Sequence, residues 1–382
     1  MGTNPKQPNA YAQAGVDVDI EAEASRMMFR AAQATFVNRE GDFGEVIVPF
    51  EDFAGVRAID VGNLPEGSLM SMGFDGVGTK VELAERMNKH DTIAFDLFAM
   101  VCDDAVVRGA EPVLVGSNLD LTTLGTDDRY LPIMEELCKG YVEAAREANV
   151  AVINGEIAQL PSRVKGYREF AYNWGAALVW FVRKEKMFTG MEIGVGDAVV
   201  MLREKGFRSN GISLVRKTFK KHYGDTWHEH EFEGKALGLH ALHPSTIYSR
   251  LVVSLHGGFM SEGSTEIHGV VHITGGGIIE KCARVLRPSG LGMRLDTLFA
   301  PCSAMQHCQH LADLPDADAY KTWNMGQGMA IITPQPEQVV AGAKEFGVEA
   351  VIAGEIIEEH ELSFVSQGEF QQGERIVVPL KD

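Results

Sequence analysis

Leu69-Met70-Ser71-Met72-Gly73-Phe74-Asp75-Gly76-Val77-Gly78-Thr79-Lys80 reads as one strand running into one turn. The apolar residues up to Phe74 suit a strand. Asp75-Gly76-Val77-Gly78-Thr79-Lys80 then turns the chain, and a helix is expected from residue 81 to 87. Two glycines let consecutive backbone N–H groups point at an anion, while Lys80 adds positive charge. Asp75, at the strand end, offers the hard oxygen that Mg²⁺ favours. Gly73 and Gly78 have P-loop spacing, but Thr79-Lys80 reverses the Lys-Ser/Thr order, so the P-loop label is rejected. The plain alternative is a structural turn.

Outward from this unit, strands and helices alternate. Residues 95–107 read as a mostly apolar helix ending at Arg108-Gly109, with a strand after Pro112. In 130–149, Met134, Leu137, Tyr141, Ala145 and Ala148 recur at three- and four-residue steps, an amphipathic helix packed on a sheet. Strands are expected at 150–153 and 174–182, and again at 198–202, 329–333, 350–357 and 376–379. Glycines thicken between Gly190 and Gly196, which places a boundary between an N-terminal unit, 1–188, and a C-terminal unit, 189–382. The class is mixed α/β or α+β in two halves. A chain of 382 residues exceeds what one hydrophobic core usually serves.

The net charge of −18 argues against nucleic acid as a partner. Five scattered cysteines without a CxxC pair fit reduced thiols. Neither a secretory signal nor a membrane-length apolar run is present, so a cytoplasmic protein is expected.

Three further features bear on chemistry. Asp96 and Asp103 are seven residues apart and share a helix face, with Asp104 one step round. Carboxylates in an apolar helix are costly unless paired, which suggests metal and nucleotide ligation; a helix-dipole partner and a solvated edge are the bland alternative. Ser209-Asn210-Gly211 precedes a helix and reads equally as its cap. His272 stands two residues before Thr274-Gly275-Gly276-Gly277, a glycine-rich helix start that could seat phosphate. Cys302, His307, Cys308 and His310 match no zinc spacing and read as a solvated segment. His222, His228, His230, His240 and His243 read as surface residues.

These motifs, in this order, resemble aminoimidazole ribonucleotide synthetase, also named phosphoribosylformylglycinamidine cyclo-ligase. The likeness runs from Tyr11 to about Gly354, through Asp75–Lys80, Asp104-Ala105-Val106-Val107-Arg108-Gly109-Ala110-Glu111-Pro112, Ser209-Asn210-Gly211, the His272–Gly277 stretch and Asn324-Met325-Gly326-Gln327-Gly328. It implies N-terminal halves that close a β-barrel across a homodimer. It also implies ATP-dependent ring closure of a small phosphorylated ribonucleotide, with ATP and Mg²⁺ as cofactors. On the resemblance, Asp75, Asp96 and Asp104 hold Mg²⁺ and the ATP phosphates, and Lys80 neutralises charge. Gly76, Val77, Gly78 and Thr79 line the nucleotide. Gly41, Phe43 and Gly44 belong to a glycine loop over it. Ser209, Asn210, Gly211, Thr274, Gly275, Gly276 and Gly277 face substrate, with His272 as an acid–base or orienting group.

The chain departs from the family pattern at four places. Asp42 stands in the glycine loop where Gly is typical. Ile157 and Gln159 replace a hydroxyl and a carboxylate, and Arg208 stands where a His usually precedes Ser-Asn-Gly. Arg cannot exchange a proton near neutral pH, so Arg208 is expected to grip a phosphate with its planar fork. Two alternatives follow from these changes: another ATP-dependent kinase or dehydratase of the same superfamily, or a catalytically silent ATP-binding scaffold.

Overall fold

The computed structural model describes residues 18–47 and 57–380; the opening motif from Tyr11 to Asp17 lies outside them. Helix α1 (Val18–Ala34) leads to strand β1 (Ser68–Gly76), the turn 78–80 and helix α2 (Val81–Met87). Helix α3 (Ile93–Val106), strand β2 (Glu111–Leu121), helix α4 (Leu131–Ala148), and strands β3 (Ala151–Gln159) and β4 (Tyr172–Arg183) complete the first half. The expected elements are present, and the strands run longer than local apolarity alone suggests. Polar residues such as Asn118, Asn154 and Glu156 continue them because cross-strand bonds carry the ladder on.

The first sheet has the order β1-β4-β2-β3. Strands β1 and β4 pair antiparallel, as do β4 and β2, while β2 and β3 run parallel with α4 crossing between them. One face is apolar: Tyr172, Trp174, Ala176 and Leu178 of β4 are buried among Leu137, Tyr141, Ala144 and Ala145 of α4 and residues of α3. Alternation along a strand puts Asn173, Gly175 and Ala177 on the opposite face. There, with Gly116 and Gly155, they line an open cleft of about 670 Å³. Helix α4 ends at Asn149, whose φ of 55° gives the left-handed stop common at helix ends.

In the second half, strands β5 (Ala198–Arg203), β6 (Gly269–His272), β7 (Gly292–Leu295), β8 (Gln327–Thr333), β9 (Ala350–Ile357), β10 (Glu361–Val365) and β11 (Arg375–Pro379) form one sheet. Its order is β6-β8-β5-β9-β7-β10-β11, antiparallel except for β7 with β10. Helices α5 (Ile212–Tyr223), α6 (Ser249–His256) and α7 (Gly277–Leu286) flank it. Helix α3 packs against the first sheet and also against α6 and β6 of the second half.

Several polar segments differ from expectation. The Cys302–His310 stretch is helical (Ser303–Ala312), with Cys308 in the core. His228 is buried because the turn Trp227–Glu229 packs beneath Arg86. Among the described residues no helix is long and apolar enough to cross a membrane, and all five cysteines are free.

Gly140 marks the closest approach of α4 to the loop before α3: a Cβ there would fall inside van der Waals contact with the Asp91 carbonyl. Gly→Ala inside a helix ordinarily stabilises by about 0.5–1 kcal/mol, so the sign is informative. Gly140→Ala is expected to destabilise the protein by about 1–3 kcal/mol through overpacking. Urea denaturation measures it, and an unchanged or raised midpoint contradicts this packing.

Candidate active site

The turn after β1 is held from inside. Lys80 is fully buried, and its ammonium donates to Asp96 Oδ1 (2.7 Å), to the Phe207 carbonyl (2.7 Å) and to the His243 carbonyl (2.6 Å). Three donors are all a lysine has. The expectation that Lys80 neutralises phosphate therefore gives way: the ammonium points into the seam between the halves, away from exposed Gly78 and Thr79.

Asp96 leaves the metal set for the same reason. It is fully buried, accepting from Lys80 and from Ser245 Oγ (2.5 Å). Burial works to raise its pKa, and the Lys80 charge opposes that. Asp103, seven residues on, is equally buried. Its Oδ1 accepts the Tyr248 and Ser249 N–H groups (2.9 and 2.8 Å) that open α6, and its Oδ2 accepts from Arg208 (3.1 Å). The shared face read from the sequence is real, and it faces inward.

Asp104, one step round, has a side chain 59% exposed. Its Oδ1 lies 2.7 Å from His272 Nδ1. Burial acts to raise its pKa, but the His272 bond and the Lys281 and Arg284 charges hold it below the usual value. Half-buried Asp75, near the end of β1, accepts the Gly76 N–H (2.7 Å). Its pKa is raised by burial first and then by the negative charge of Asp104, while the Gly76 N–H bond and the Lys281 charge pull it down. Two carboxylates that feel each other's charge, each with oxygen to spare, favour a cation between them.

Glycine turns surround this pair. Thr79 Oγ1 lies 3.5 Å from Ser213 Oγ at the start of α5. Neither Ser209 nor Asn210 caps that helix, which begins at Gly211 without a side-chain bond. The cap reading is thus overturned, and Ser209 Oγ and Asn210 Oδ1 are buried atoms without a hydrogen-bond partner among the described residues. The Thr274–Gly277 turn closes on the same place, since a Cβ on Gly275 would meet the Asn210 amide. Gly277 is obligatory there: its φ is 59°, and a Cβ would collide with the Tyr320 carbonyl.

Residues not foreseen complete the cleft. Arg108, Lys281 and Arg284 line a recess of about 110 Å³ with Asp104 and His272. Lys281 and Arg284 follow the glycine turn by one helical turn and two, a spacing that could have flagged them. Glu156, which the sequence places at the same rim as Asp75, lies in the neighbouring cross-sheet row Gly76–Gly175–Asn118–Glu156, so its side chain lies on the open face of the sheet, opposite to that of Asp75.

Other expected residues sit elsewhere. Phe43 packs between Phe181 and Phe259 (centroids 4.8 Å from each), and Gly44 lines a separate pocket with Met260. Phe43 and Gly44 thus pack away from the Asp75 cleft, and Gly41 beside them is exposed. Gln159 accepts from the Leu124 N–H and donates to Glu21 (2.9 Å), where a carboxylate would repel Glu21. Arg208 is 2% exposed, and its guanidinium is taken up by Asp103, Glu204 and His272. Its fork is not open to a substrate phosphate. Among the described residues no group of three or more His, Cys, Asp and Glu side chains forms a metal cage.

The sequence profile described as AIR synthase related protein, N-terminal domain, matches residues 51–176, and its C-terminal-domain counterpart matches 194–367. The chain is 35% identical over 352 residues to phosphoribosylformylglycinamidine cyclo-ligase of Brevibacillus brevis, covering 91% of this chain and 95% of the relative. The enzyme of that name from Pyrococcus furiosus is 31% identical over 363 residues, covering 93% and 99%. Thiamine-monophosphate kinase of Stenotrophomonas maltophilia shares the fold (TM-score 0.62, 13% identity, 91% of this chain and 97% of that one). So does Thermotoga-type PurL, described as T. maritima PurL complexed with ATP (0.52, 13%, 95% and 52%).

Lys80 as an internal bolt gives a sharp expectation. Lys80→Met leaves Asp96 buried without its partner and should cost about 3–5 kcal/mol of stability. Lys281→Met, at the cleft surface, should stay within about 0.5 kcal/mol of wild type. Denaturation midpoints of the two variants check this; equal midpoints would contradict the assignment.

Proposed function

This chain belongs to the AIR synthase-related family, and on that footing we propose that it is the cyclo-ligase of purine biosynthesis. It converts formylglycinamidine ribonucleotide and ATP to aminoimidazole ribonucleotide, ADP and phosphate. The observation that carries the reading is that Asp75 feels the charges of Asp104 and Lys281, and that Asp104 lines a cationic recess with Lys281, Arg284 and Arg108. The cyclo-ligase names of relatives that the chain matches over most of their length support it.

In the reaction, the formyl oxygen takes the γ-phosphoryl group of ATP, the ring-closing nitrogen attacks the same carbon, and phosphate leaves. The chain's work is positioning and charge neutralisation. Asp75 and Asp104 fit Mg²⁺, which commonly takes one or two carboxylates plus substrate phosphates and water. When bound there, Mg²⁺ would neutralise phosphate charge. Gly76, Val77, Gly78 and Thr79 offer backbone to the nucleotide. Lys281, Arg284 and Arg108 take the neutralising role that Lys80 cannot. Ser209, Asn210 and the Thr274–Gly277 turn meet the substrate. In this assignment residues 1–188 carry nucleotide binding and dimerisation, 189–382 the substrate side, and the enzyme works in the cytoplasm.

The dimer has a physical basis. Among the described residues strand β1 is an edge of its sheet, and Leu69, Met70, Met72 and Phe74 on it are exposed, Phe74 by 75%. An exposed apolar edge invites pairing, and the partner's equivalent strand would close the barrel.

Two measurements test the proposal. Purified protein should release ADP and the aminoimidazole product in equal amounts. Asp75→Asn and Asp104→Asn should each lower kcat/KM by roughly 10- to 150-fold, the worth of a charged hydrogen bond. ADP release without cyclised product, or undiminished turnover by both variants, would overturn it. Light scattering should give a dimer for wild type and a monomer for Phe74→Asp; a wild-type monomer with full activity contradicts the barrel.

A further inference from the structure

Arg208, His272 and Asp104 lie in one line from the core to the cleft. Arg208 Nη2 stands 2.9 Å from His272 Nε2, and His272 Nδ1 stands 2.7 Å from Asp104 Oδ1. Guanidinium groups only donate hydrogen bonds. At 2.9 Å, Nε2 must therefore present its lone pair; a proton on it would face another N–H, and a ring protonated on both nitrogens would also put two cations in contact. The ring proton consequently sits on Nδ1 and is donated to Asp104. Both nitrogens of His272 are thus engaged, which removes it as a free general base in this arrangement.

The inner end of the line is fixed. Arg208 Nη2 also donates to Asp103 Oδ2 (3.1 Å) and Nη1 to Glu204 Oε2 (3.3 Å), and its guanidinium lies 5.5 Å from the Tyr248 ring centroid. Glu204 in turn accepts from the Lys205 and Thr246 N–H groups. Arg208 and the His272 side chain are 2% and 1% exposed, whereas Asp104 at the outer end is mostly exposed. An exposed carboxylate is ordinarily free to rotate; this one is tethered to a buried, hydrogen-bonded frame.

We infer that Arg208 is a positioning residue: it fixes His272 as the Nδ1–H tautomer and, through it, aims the Asp104 carboxylate into the cleft. Outer partners of this kind commonly tune a ligating group's affinity. The role of Asp104 toward a metal–nucleotide rests on the function proposed above. The tautomer does not, because it follows from contacts within the chain.

The experiment reads both. Protein carrying ¹⁵N-histidine, without ligand and near neutral pH, is examined by long-range ¹H–¹⁵N correlation, with His272 identified through His272→Asn. Wild type should show a protonated Nδ1 and a bare Nε2. An Nε2–H tautomer or an imidazolium overturns the inference, whatever the variants do. Arg208→Lys keeps the charge but lacks the fork, so His272 should become a mixture of tautomers. Its affinity for Mn²⁺ with an unreactive ATP analogue should fall roughly 10-fold, at the lower end of outer-partner effects. If both tautomer and Mn²⁺ affinity are unchanged in Arg208→Lys, Arg208 is not the positioning group. If wild type shows the Nδ1–H form but makes no cyclised product, the tautomer assignment stands and the proposed reaction fails.

Discussion

Two carboxylates inside one apolar helix impose the main constraint on this protein. Asp96 and Asp103 are fully buried in α3, and an ionised carboxylate without partners would be far too costly there. Each finds its cation on another segment. Lys80 comes from the turn after β1, and Arg208 from the start of the second half. The remaining partners, Ser245, Tyr248 and Ser249, also lie in the second half. The halves are therefore joined by charge pairs with hydrogen-bonding demands as well as by apolar contact. Such pairs add little net stability over an apolar replacement, but losing one partner is severe. They specify how the two sheets meet.

The cleft follows from that junction. Strand β1 ends at Asp75, α3 presents Asp104 one residue beyond the buried Asp103, and β6 delivers His272. The turns at 76–79, 211–213 and 275–277 approach one another, and among the described residues Ser209 Oγ and Asn210 Oδ1 have no hydrogen-bond partner. A chain of net charge −18 nonetheless places Arg108, Lys281 and Arg284 around one recess, so the local field there suits phosphate even though the global one does not.

Much of this was legible in the sequence. Periodicity found α4 and most strands, and the seven-residue spacing separated Asp96 and Asp103 from Asp104. Both the cluster read from the residues and the family likeness put Asp96 among the metal and nucleotide ligands; burial removes Asp96 and Asp103 from that set, and the shared face that their spacing predicts turns inward. What stayed hidden depends on long-range pairing. Lys80 beside a glycine turn looks like a phosphate ligand until Phe207 and His243, more than a hundred residues away, supply carbonyls for its ammonium. Arg208 looks like a phosphate grip until Asp103 and Glu204 occupy it. Phe43 looks like a lid residue until Phe181 and Phe259 enclose it. A local reading names the charged group but not the direction in which it points.

The account separates inner carboxylates, which hold the halves together, from outer ones, which meet the ligand. A crystal structure with an unreactive ATP analogue and Mg²⁺ tests that division most directly. The expected result is metal and phosphate density against Asp75 and Asp104, with Asp96 still bonded to Lys80 and Asp103 to Arg208. Metal ligated by Asp96, or a Lys80 ammonium turned out onto the phosphates, would contradict it.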